Sequence, residues 1–311
     1  MKLVKASIVL VNFNTLALLK QCLAHLASLA HSFAVEIIVV DNGSTDGSRA
    51  WLATAAGPRL HSVFSPENRG FAFACNLGIA QAEGDSILLL NTDAFPQPGA
   101  LDRLQEYLDK HSQAGIVGPQ LLYPDGRWQR SGGRVLSPRS ALLQALGITS
   151  VGHLVSAISW KLLGRHGRPR PVQYVDGACM LIRRRVIDQI GALDASFFLF
   201  VEDVEFCFRA RQAGWQVVRV PQSRAIHLRG ASSAQIKLEE IVRRRVDSER
   251  TFIGRTWGSR AWRSFLLTTQ GNYCLRMGLA ALFGKKDRYQ RYRAVWRVYR
   301  EERQRKQPGI S

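Results

Sequence analysis

Short apolar runs alternate with stretches of helical period through the first hundred or so residues, and few architectures accept that rhythm. Residues 7–11, 37–40, 60–64 and 87–90 read as buried strands, and 16–29, 49–56, 71–82 and 101–111 as helices. This order predicts an α/β fold in which a mostly parallel sheet is covered by helices on both faces. Ligands of such sheets bind beyond the carboxyl ends of the strands. Asn12, Asp41, Asn91, Thr92 and Asp93 all fall at those ends.

The rhythm loosens after Gly118. Residues 121–126 end a strand in a turn, 172–183 regain strand character, 204–213 read as a helix and 216–220 as another strand. From Ile236 the chain reads as helical and rich in Arg and Trp. A boundary near Ser233 is expected, giving an α/β domain at 1–233 with an insertion at 136–170, then a helical extension at 234–311. The insertion is apolar first, then basic at Lys161, Arg165, Arg168 and Arg170. The most apolar stretch, 265–283, is broken by Gln270, Asn272 and Arg276, and falls short of the ~18 continuous apolar residues of a spanning helix.

Charge is unevenly spread. The net charge of the 311 residues is +19, and from Lys237 onward 19 Lys and Arg stand against 7 Asp and Glu. A basic tail of this kind draws phosphate-rich partners: anionic lipid, nucleic acid or a diphosphate-bearing substrate. Its plainer use is a solvated helix surface. The five cysteines are far apart without a C-x-x-C pair, which argues against zinc or a disulfide framework and fits reduced thiols in the cytoplasm. The apolar run after Ser7 stops at Asn12, too short for a signal segment, so a cytosolic start is expected.

Five segments carry chemistry. Val40-Asp-Asn-Gly-Ser-Thr-Asp-Gly47 sets Asp41 directly after an apolar run, where a carboxylate can accept the imide N–H of a pyrimidine; a helix cap from Ser44, Thr45 or Asp46 is the competing use. Asn68-Arg-Gly-Phe71 offers Gly70 for close backbone approach and Arg69 as a cationic fork for phosphate. Asn91-Thr-Asp93 ends a buried strand with two oxygen side chains, a donor set suited to Mg²⁺ or Mn²⁺ shared with substrate phosphates. Glu202 and Asp203 follow the apolar run 197–201, and an apolar pocket raises a carboxylate toward use as a general base. His227 is a further metal-ligand candidate.

In their order and spacing these segments resemble glycosyltransferase family 2, the GT-A fold of nonprocessive bacterial sugar transferases. The matching pieces are Val11-Asn-Phe-Asn14, Val40 to Ser48, Asn68-Arg-Gly-Phe71 with Asn76-Leu-Gly78, Asn91-Thr-Asp93, Val175-Asp-Gly-Ala178, Glu202-Asp203 and His227, from about residue 7 to 233. The subgroup most resembled is the dTDP-rhamnosyltransferases of O-antigen and cell-wall assembly.

The resemblance implies a GT-A domain with a mixed, mostly parallel sheet and a C-terminal helical extension. It implies an inverting, metal-dependent transfer of a sugar, L-rhamnose first and a UDP-hexose as the alternative, to a glycan or polyprenyl-diphosphate-linked acceptor. The donor would be held by Asn12, Asn14, Asp41, Asn68, Arg69, Gly70, Asn76, Asn91, Thr92, Asp176 and Gly177. Asp93 and His227 would bind Mg²⁺ or Mn²⁺, with Asn91 in place of the family's first acidic residue. Asp203 would be the base and Glu202 its neighbour, assisting or holding hydroxyls. Arg69 or Arg229 would offset charge on the leaving diphosphate. The insertion and the tail, with Trp257, Trp262 and Trp296, are expected either at the inner membrane surface or as a helical subdomain that packs on the core or makes a homodimer.

Nucleic-acid binding is not expected, since it explains the tail and leaves Asp93, Asp203 and His227 idle. A nucleotidyltransferase would carry a Gly-rich triphosphate loop near the N-terminus, and Val11-Asn-Phe-Asn-Thr15 is not one. Retention of both Asp93 and Asp203 argues against a binding-only relative.

Overall fold

The computed structural model describes residues 4–55, 57, 59–146, 167–231 and 236–305. They gather into two compact units, one of residues 4–134, 167–198 and 202–231 and one of 135–146, 199–201 and 236–305. Residues 135–146 therefore group with the C-terminal helices, and the domain expected at 1–233 is not contiguous.

The first unit opens as the sequence rhythm predicts. Strands β1 (Ala6–Asn12), β2 (Val35–Asn42), β3 (Leu60–Ser65) and β4 (Ser86–Asn91) alternate with helices α1 (Leu16–Ser28), α2 (Ser48–Thr54) and α3 (Phe71–Gln81). Then follow β5 (Ala94–Pro96), α4 (Ala100–Lys110), β6 (Ala114–Leu122), the two-residue strands β7 (Gly132–Gly133), β8 (Arg170–Pro171) and β9 (Tyr174–Val175), and β10 (Cys179–Arg183). Helix α5 (Pro138–Ala145) lies between β7 and β8 in the chain and belongs to the second unit. Helices α6 (Arg184–Ile190) and α7 (Glu202–Gln212) and strand β11 (Gln216–His227) complete the first.

The main sheet runs β3-β2-β1-β4-β10-β6-β11-β5, with β8 also paired to β11. Strands β1 to β4 pair in parallel, as do β6 and β11, whereas β10 runs antiparallel between β4 and β6. Alternation of side chains splits each central strand between two cores. Ile8, Leu10, Leu88, Leu90 and Leu181 face α1, α2 and α4; Val9, Ile87, Leu89, Met180 and Ile182 face α3, α6 and α7. Both faces of these strands are therefore dry, and the polar residues Asn12, Asp41 and Asn91 sit at their carboxyl ends.

The expected strand at 172–183 is interrupted between β9 and β10 by the turn that holds Asp176 and Gly177. Strand β11 runs seven residues past the expected end at Val220. A register shift between Val220 and Arg224 absorbs Pro221, and Arg224 to Ile226 then pair with the end of β6.

In the second unit, helix α8 (Leu238–Leu282) breaks at Gly258 (φ 84°), and α9 (Lys286–Gln304) packs back along it. The core includes Phe252, Ile253, Trp262, Phe265, Leu266, Val298 and Tyr299. Trp262 is 2% exposed and part of this core, a packed position and not a membrane-surface one. Lys161 and Arg165 lie outside the described residues.

Candidate active site

Strand β4 ends at Asn91, and the chain turns through Thr92 and Asp93 before β5. Asp93 is thus aimed by a turn, not by the strand alternation expected from sequence. Strand β5 pairs antiparallel with the end of β11, Ala94 opposite His227, and the Leu228 N–H donates to the Asp93 carbonyl at 3.0 Å. This pairing brings two residues 134 apart in sequence together: His227 Nε2 lies 3.5 Å from Asp93 Oδ1, with Asp93 fully buried and His227 7% exposed. Two ligands on one divalent ion, with bonds of about 2.1 Å, stand roughly 3–3.5 Å apart. The pair fits such an ion. Among the described residues no group of three His, Cys, Asp or Glu gathers for a metal, so the remaining positions would fall to phosphate oxygens and water.

On its other side His227 meets Gln129, which nothing in the sequence singles out. His227 Nδ1 is 2.7 Å from Gln129 Oε1, and Gln129 Nε2 donates to the His227 carbonyl at 3.0 Å. Gln129 arrives because Tyr123-Pro-Asp-Gly126 turns the chain back along β6, closed by Tyr123 N–H to Arg127 O and Gly126 N–H to Tyr123 O. The turn was legible; its partner was not. Arg229, at φ 38°, donates to the Tyr123 hydroxyl at 3.0 Å.

A second corner adjoins the first. The Asn91 N–H donates to Ala178 O at 3.0 Å, which ties the end of β4 to the Asp176-Gly177 turn. The Gly177 N–H donates to Asp203 Oδ2 at 2.9 Å, and the Val204 N–H to Asp203 Oδ1 at 2.7 Å. A Cβ at Gly177 would press on Asp203 Cβ at 3.2 Å. Asp176 accepts from the Ala178 N–H at 3.0 Å.

Burial, then the charge of Asp176, pushes Asp203 up to about 7 against its two backbone hydrogen bonds. Asp203 keeps part of its surface open, although protein crowds its carboxyl. Burial, then Asp203 and Asp176, holds Glu202 well above the usual carboxylate range. Glu202 is buried, and its Oε2 has no hydrogen-bond partner among the described residues. The two neighbours therefore differ: Asp203 can take a proton near neutrality, while burial and the two nearby carboxylates hold Glu202 more strongly against ionisation.

The loops at the ends of β1 and β2 form a third group. Asn12 Nδ2 donates to Asp41 Oδ1 and to Ser44 Oγ, both at 3.1 Å, and the Ser44 N–H donates to Asp41 Oδ2 at 3.2 Å. Asn14, left-handed at φ 52°, accepts from the Thr45 N–H at 2.7 Å. Asp41 is fully buried and orders this loop pair. Asp46 accepts from Leu16 at the start of α1 and from Ser48 at the start of α2, so it caps two helices.

Gly70 (φ 94°) lies against Phe198: a Cβ there would sit 2.5 Å from the Phe198 carbonyl oxygen. Asn68 Oδ1 accepts from the Gly70 N–H and from Asn42 Nδ2, both at 3.0 Å. The Arg69 guanidinium lies 3.8 Å from the centre of the Phe73 ring, a contact that leaves its N–H edges available. Asn76 plays a structural part. It donates to Leu193 O at 2.7 Å and accepts from Leu193 N–H at 3.0 Å, which occupies both ends of the amide expected at the donor. Thr92 is buried, its hydroxyl 3.4 Å from that of Thr15, and Asn91 Oδ1 is buried with no hydrogen-bond partner among the described residues.

Residues 7–191, which include the parallel strand ends, Asp93 and Gln129 and stop short of Asp203 and His227, match the family model described as Glycosyl transferase family 2. The chain belongs to glycosyltransferase family 2. A curated family relative, the N-acetylglucosaminyl-diphospho-decaprenol L-rhamnosyltransferase of Mycobacterium tuberculosis, is 30% identical over 223 residues, 67% of this chain and 71% of that one. The low-salt glycan biosynthesis hexosyltransferase Agl10 of Haloferax volcanii is 27% identical over 225 residues, 71% of this chain and 66% of its own.

Two solved structures share the fold. The mannosyltransferase PcManGT of Pyrobaculum calidifontis, solved with GDP-Man and Mn²⁺, aligns with a TM-score of 0.58 at 15% identity over 96% of this chain and 86% of that one. GalNAc-T7 with UDP, GalNAc and Mn²⁺ aligns at a TM-score of 0.55 and 16% identity over 78% of this chain and 47% of that one. The fold is GT-A, and this family 2 chain is a glycosyltransferase.

Proposed function

We propose that this glycosyltransferase moves L-rhamnose from dTDP-L-rhamnose to a hydroxyl of a lipid-linked glycan, with inversion and with a divalent ion. The observation that carries the chemistry is Asp203, a carboxylate poised near neutrality by burial and Asp176 and oriented by the Gly177 and Val204 N–H groups. The sugar and acceptor class are supported by the 30% identical rhamnosyltransferase named for a decaprenyl-diphosphate GlcNAc acceptor.

In this reading Asp203 takes the proton of the acceptor hydroxyl as its oxygen attacks the anomeric carbon opposite the leaving group. One displacement through an oxocarbenium-like state inverts the centre, and no bond to the enzyme forms. Asp93 and His227 would hold Mg²⁺ or Mn²⁺, which supplies charge stabilisation for the departing diphosphate. Arg229, held by the Tyr123 hydroxyl, or Arg69, held against the Phe73 ring, would add to it. Asn12, Asn14 and Asp41 would border the pyrimidine, the carboxylate accepting a further hydrogen bond once the loops part. Asn68 and Gly70 shape the adjoining wall, and Asn91, Thr92, Asp176 and Gly177 the sugar side.

A lipid-linked acceptor implies work at a bilayer surface. In the second unit Leu275, Leu279, Leu282 and Phe283 stand exposed along one side of α8, Leu282 at 77% and Phe283 at 68%. Lys285, Lys286, Arg288, Arg291 and Arg293 follow with Asp287 as the one acid among residues 285–293. Apolar side chains fringed by cations suit an anionic membrane, and a homodimer is the competing occupant. No helix among the described residues is long and apolar enough to cross a membrane.

Release of nucleoside diphosphate from a donor panel, with Mn²⁺ and with EDTA, tests the reading. Turnover of dTDP-L-rhamnose that EDTA abolishes supports it. Turnover of a UDP-hexose alone would replace the sugar, and turnover unchanged in EDTA would overturn the metal role.

A further inference from the structure

Gln129 bonds to both ends of its amide within one residue, and this fixes a proton. The His227 backbone carbonyl can only accept, so the group of Gln129 3.0 Å from it must be the amide NH₂. The other end, 2.7 Å from His227 Nδ1, is then the carbonyl oxygen, which also only accepts. His227 must therefore carry a hydrogen on Nδ1. The orientation of the Gln129 amide is settled by the backbone carbonyl and leaves no choice of flip. The backbone of Gln129 is itself held: its main-chain carbonyl accepts from Gln120 Nε2 at 2.7 Å, its main-chain N–H donates to Leu121 O at 2.9 Å, and Gln120 Oε1 accepts from Trp128 Nε1 at 2.7 Å. Gln129 and Gln120 are both buried.

We infer that Gln129 is a positioning residue that fixes a hydrogen on His227 Nδ1, so that Nε2 is the ring nitrogen turned toward Asp93 and offered to a cation shared with it. With Nδ1 committed to Gln129, His227 Nε2 and Asp93 Oδ1, 3.5 Å apart, converge on an ion placed between them. The Trp128-Gln120-Gln129 chain makes the arrangement rigid, so the ligand is oriented before the ion arrives. This rests on the reading of Asp93 and His227 as metal ligands and goes beyond it, by naming the group that sets which histidine nitrogen is free.

The tautomer is read directly by long-range ¹H–¹⁵N correlation on metal-free, ¹⁵N-histidine-labelled protein at pH 7.5, with the His227 signals identified by their loss in His227→Ala. An Nδ1 that carries hydrogen is expected. A ring that carries its hydrogen on Nε2 alone, with Nδ1 bare, overturns the inference whatever the metal does.

Mn²⁺ affinity in the presence of dTDP, followed by the electron paramagnetic resonance of free Mn²⁺, gives the second readout. Gln129→Leu removes the acceptor and should weaken Mn²⁺ binding about 10- to 100-fold, the usual effect of losing a group that orients a ligand. Gln129→Glu keeps an acceptor for Nδ1–H and should bind about tenfold tighter than Gln129→Leu. Circular dichroism melts confirm that each variant is folded. Equal affinity in wild type and Gln129→Leu, or equal weakening in both variants, would overturn the positioning role. The Nδ1–H pattern without any Mn²⁺ binding by wild type would overturn the metal reading instead, and remove the purpose assigned to Gln129.

Discussion

Replacing Asp203 by Asn should disable transfer and stabilise the protein, and the stabilisation should depend on pH. The fold raises the Asp203 carboxyl from 3.8 to about 7. At about 1.4 kcal/mol per unit that corresponds to at most ~4 kcal/mol. An amide in its place can accept only one of the two N–H bonds from Gly177 and Val204, a loss of about 1 kcal/mol, and the partly open surface reduces the gain further. A net gain of roughly 1–3 kcal/mol is expected for Asp203→Asn at pH 8, a rise of about 2–8 °C in Tm.

The sign follows from the raised pKa. Below the unfolded value near 4 both proteins are uncharged at this position and the gain vanishes. Between about pH 4 and 7 the wild type loses stability as the buried carboxyl is forced to ionise, while the amide does not, so the gain grows and levels off above 7. Thermal melts of both proteins from pH 4 to 8.5 measure it. A difference that stays flat with pH, or an Asn variant that becomes relatively less stable at high pH, would refute the account of Asp203.

The same carboxyl sets the activity profile: kcat/KM should climb with pH through about 7, since only the ionised form takes the acceptor proton, and a profile flat from pH 5.5 to 8.5 would contradict this. Asp93→Ala should lower metal-dependent turnover by about 10²–10⁴-fold, as expected for several kcal/mol of lost charge stabilisation, and steady-state kinetics at saturating Mn²⁺ would show it. Gly70→Ala puts a Cβ 2.5 Å from the Phe198 carbonyl at φ 94°, and should destabilise by about 2–4 kcal/mol in thermal melts. Leu279→Glu with Phe283→Glu should abolish flotation with anionic liposomes and leave turnover of a water-soluble acceptor intact; unchanged flotation would remove the membrane surface, and a dimer that dissociates in this variant would assign the patch to self-association.

Much of the first unit could be read because its signals are local. The runs at 7–11, 37–40 and 87–90 are largely apolar on both faces, the run at 60–64 is mixed with His61 exposed, and each lies within a strand of the parallel part of the sheet. Strands β5, β7, β8 and β9 have two or three residues and exist only through their partners, so no window of sequence marks them. The end of β11 was hidden because Pro221 reads as a stop, whereas here a register shift carries the strand past it to His227.

Site residues divide in the same way. Asp203 stood out as a carboxylate after an apolar run. Gln129 did not, since a glutamine in a turn has no evident chemistry until a histidine 98 residues later is folded against it. Asn76 fitted a motif, yet its amide faces Leu193, a contact 117 residues away in sequence. The motif Asp41 to Gly47 mixes both kinds, for Asp46 ties two helix starts while Asp41 waits at a strand end.

The most direct test of the central claim is the anomeric configuration of the product formed from dTDP-β-L-rhamnose and a lipid-linked GlcNAc acceptor, read by nuclear magnetic resonance. The account predicts an α-L-rhamnoside alone, formed by the wild type and not by Asp203→Asn. A β-linked product, or α-product formed at an undiminished rate by Asp203→Asn, would contradict it.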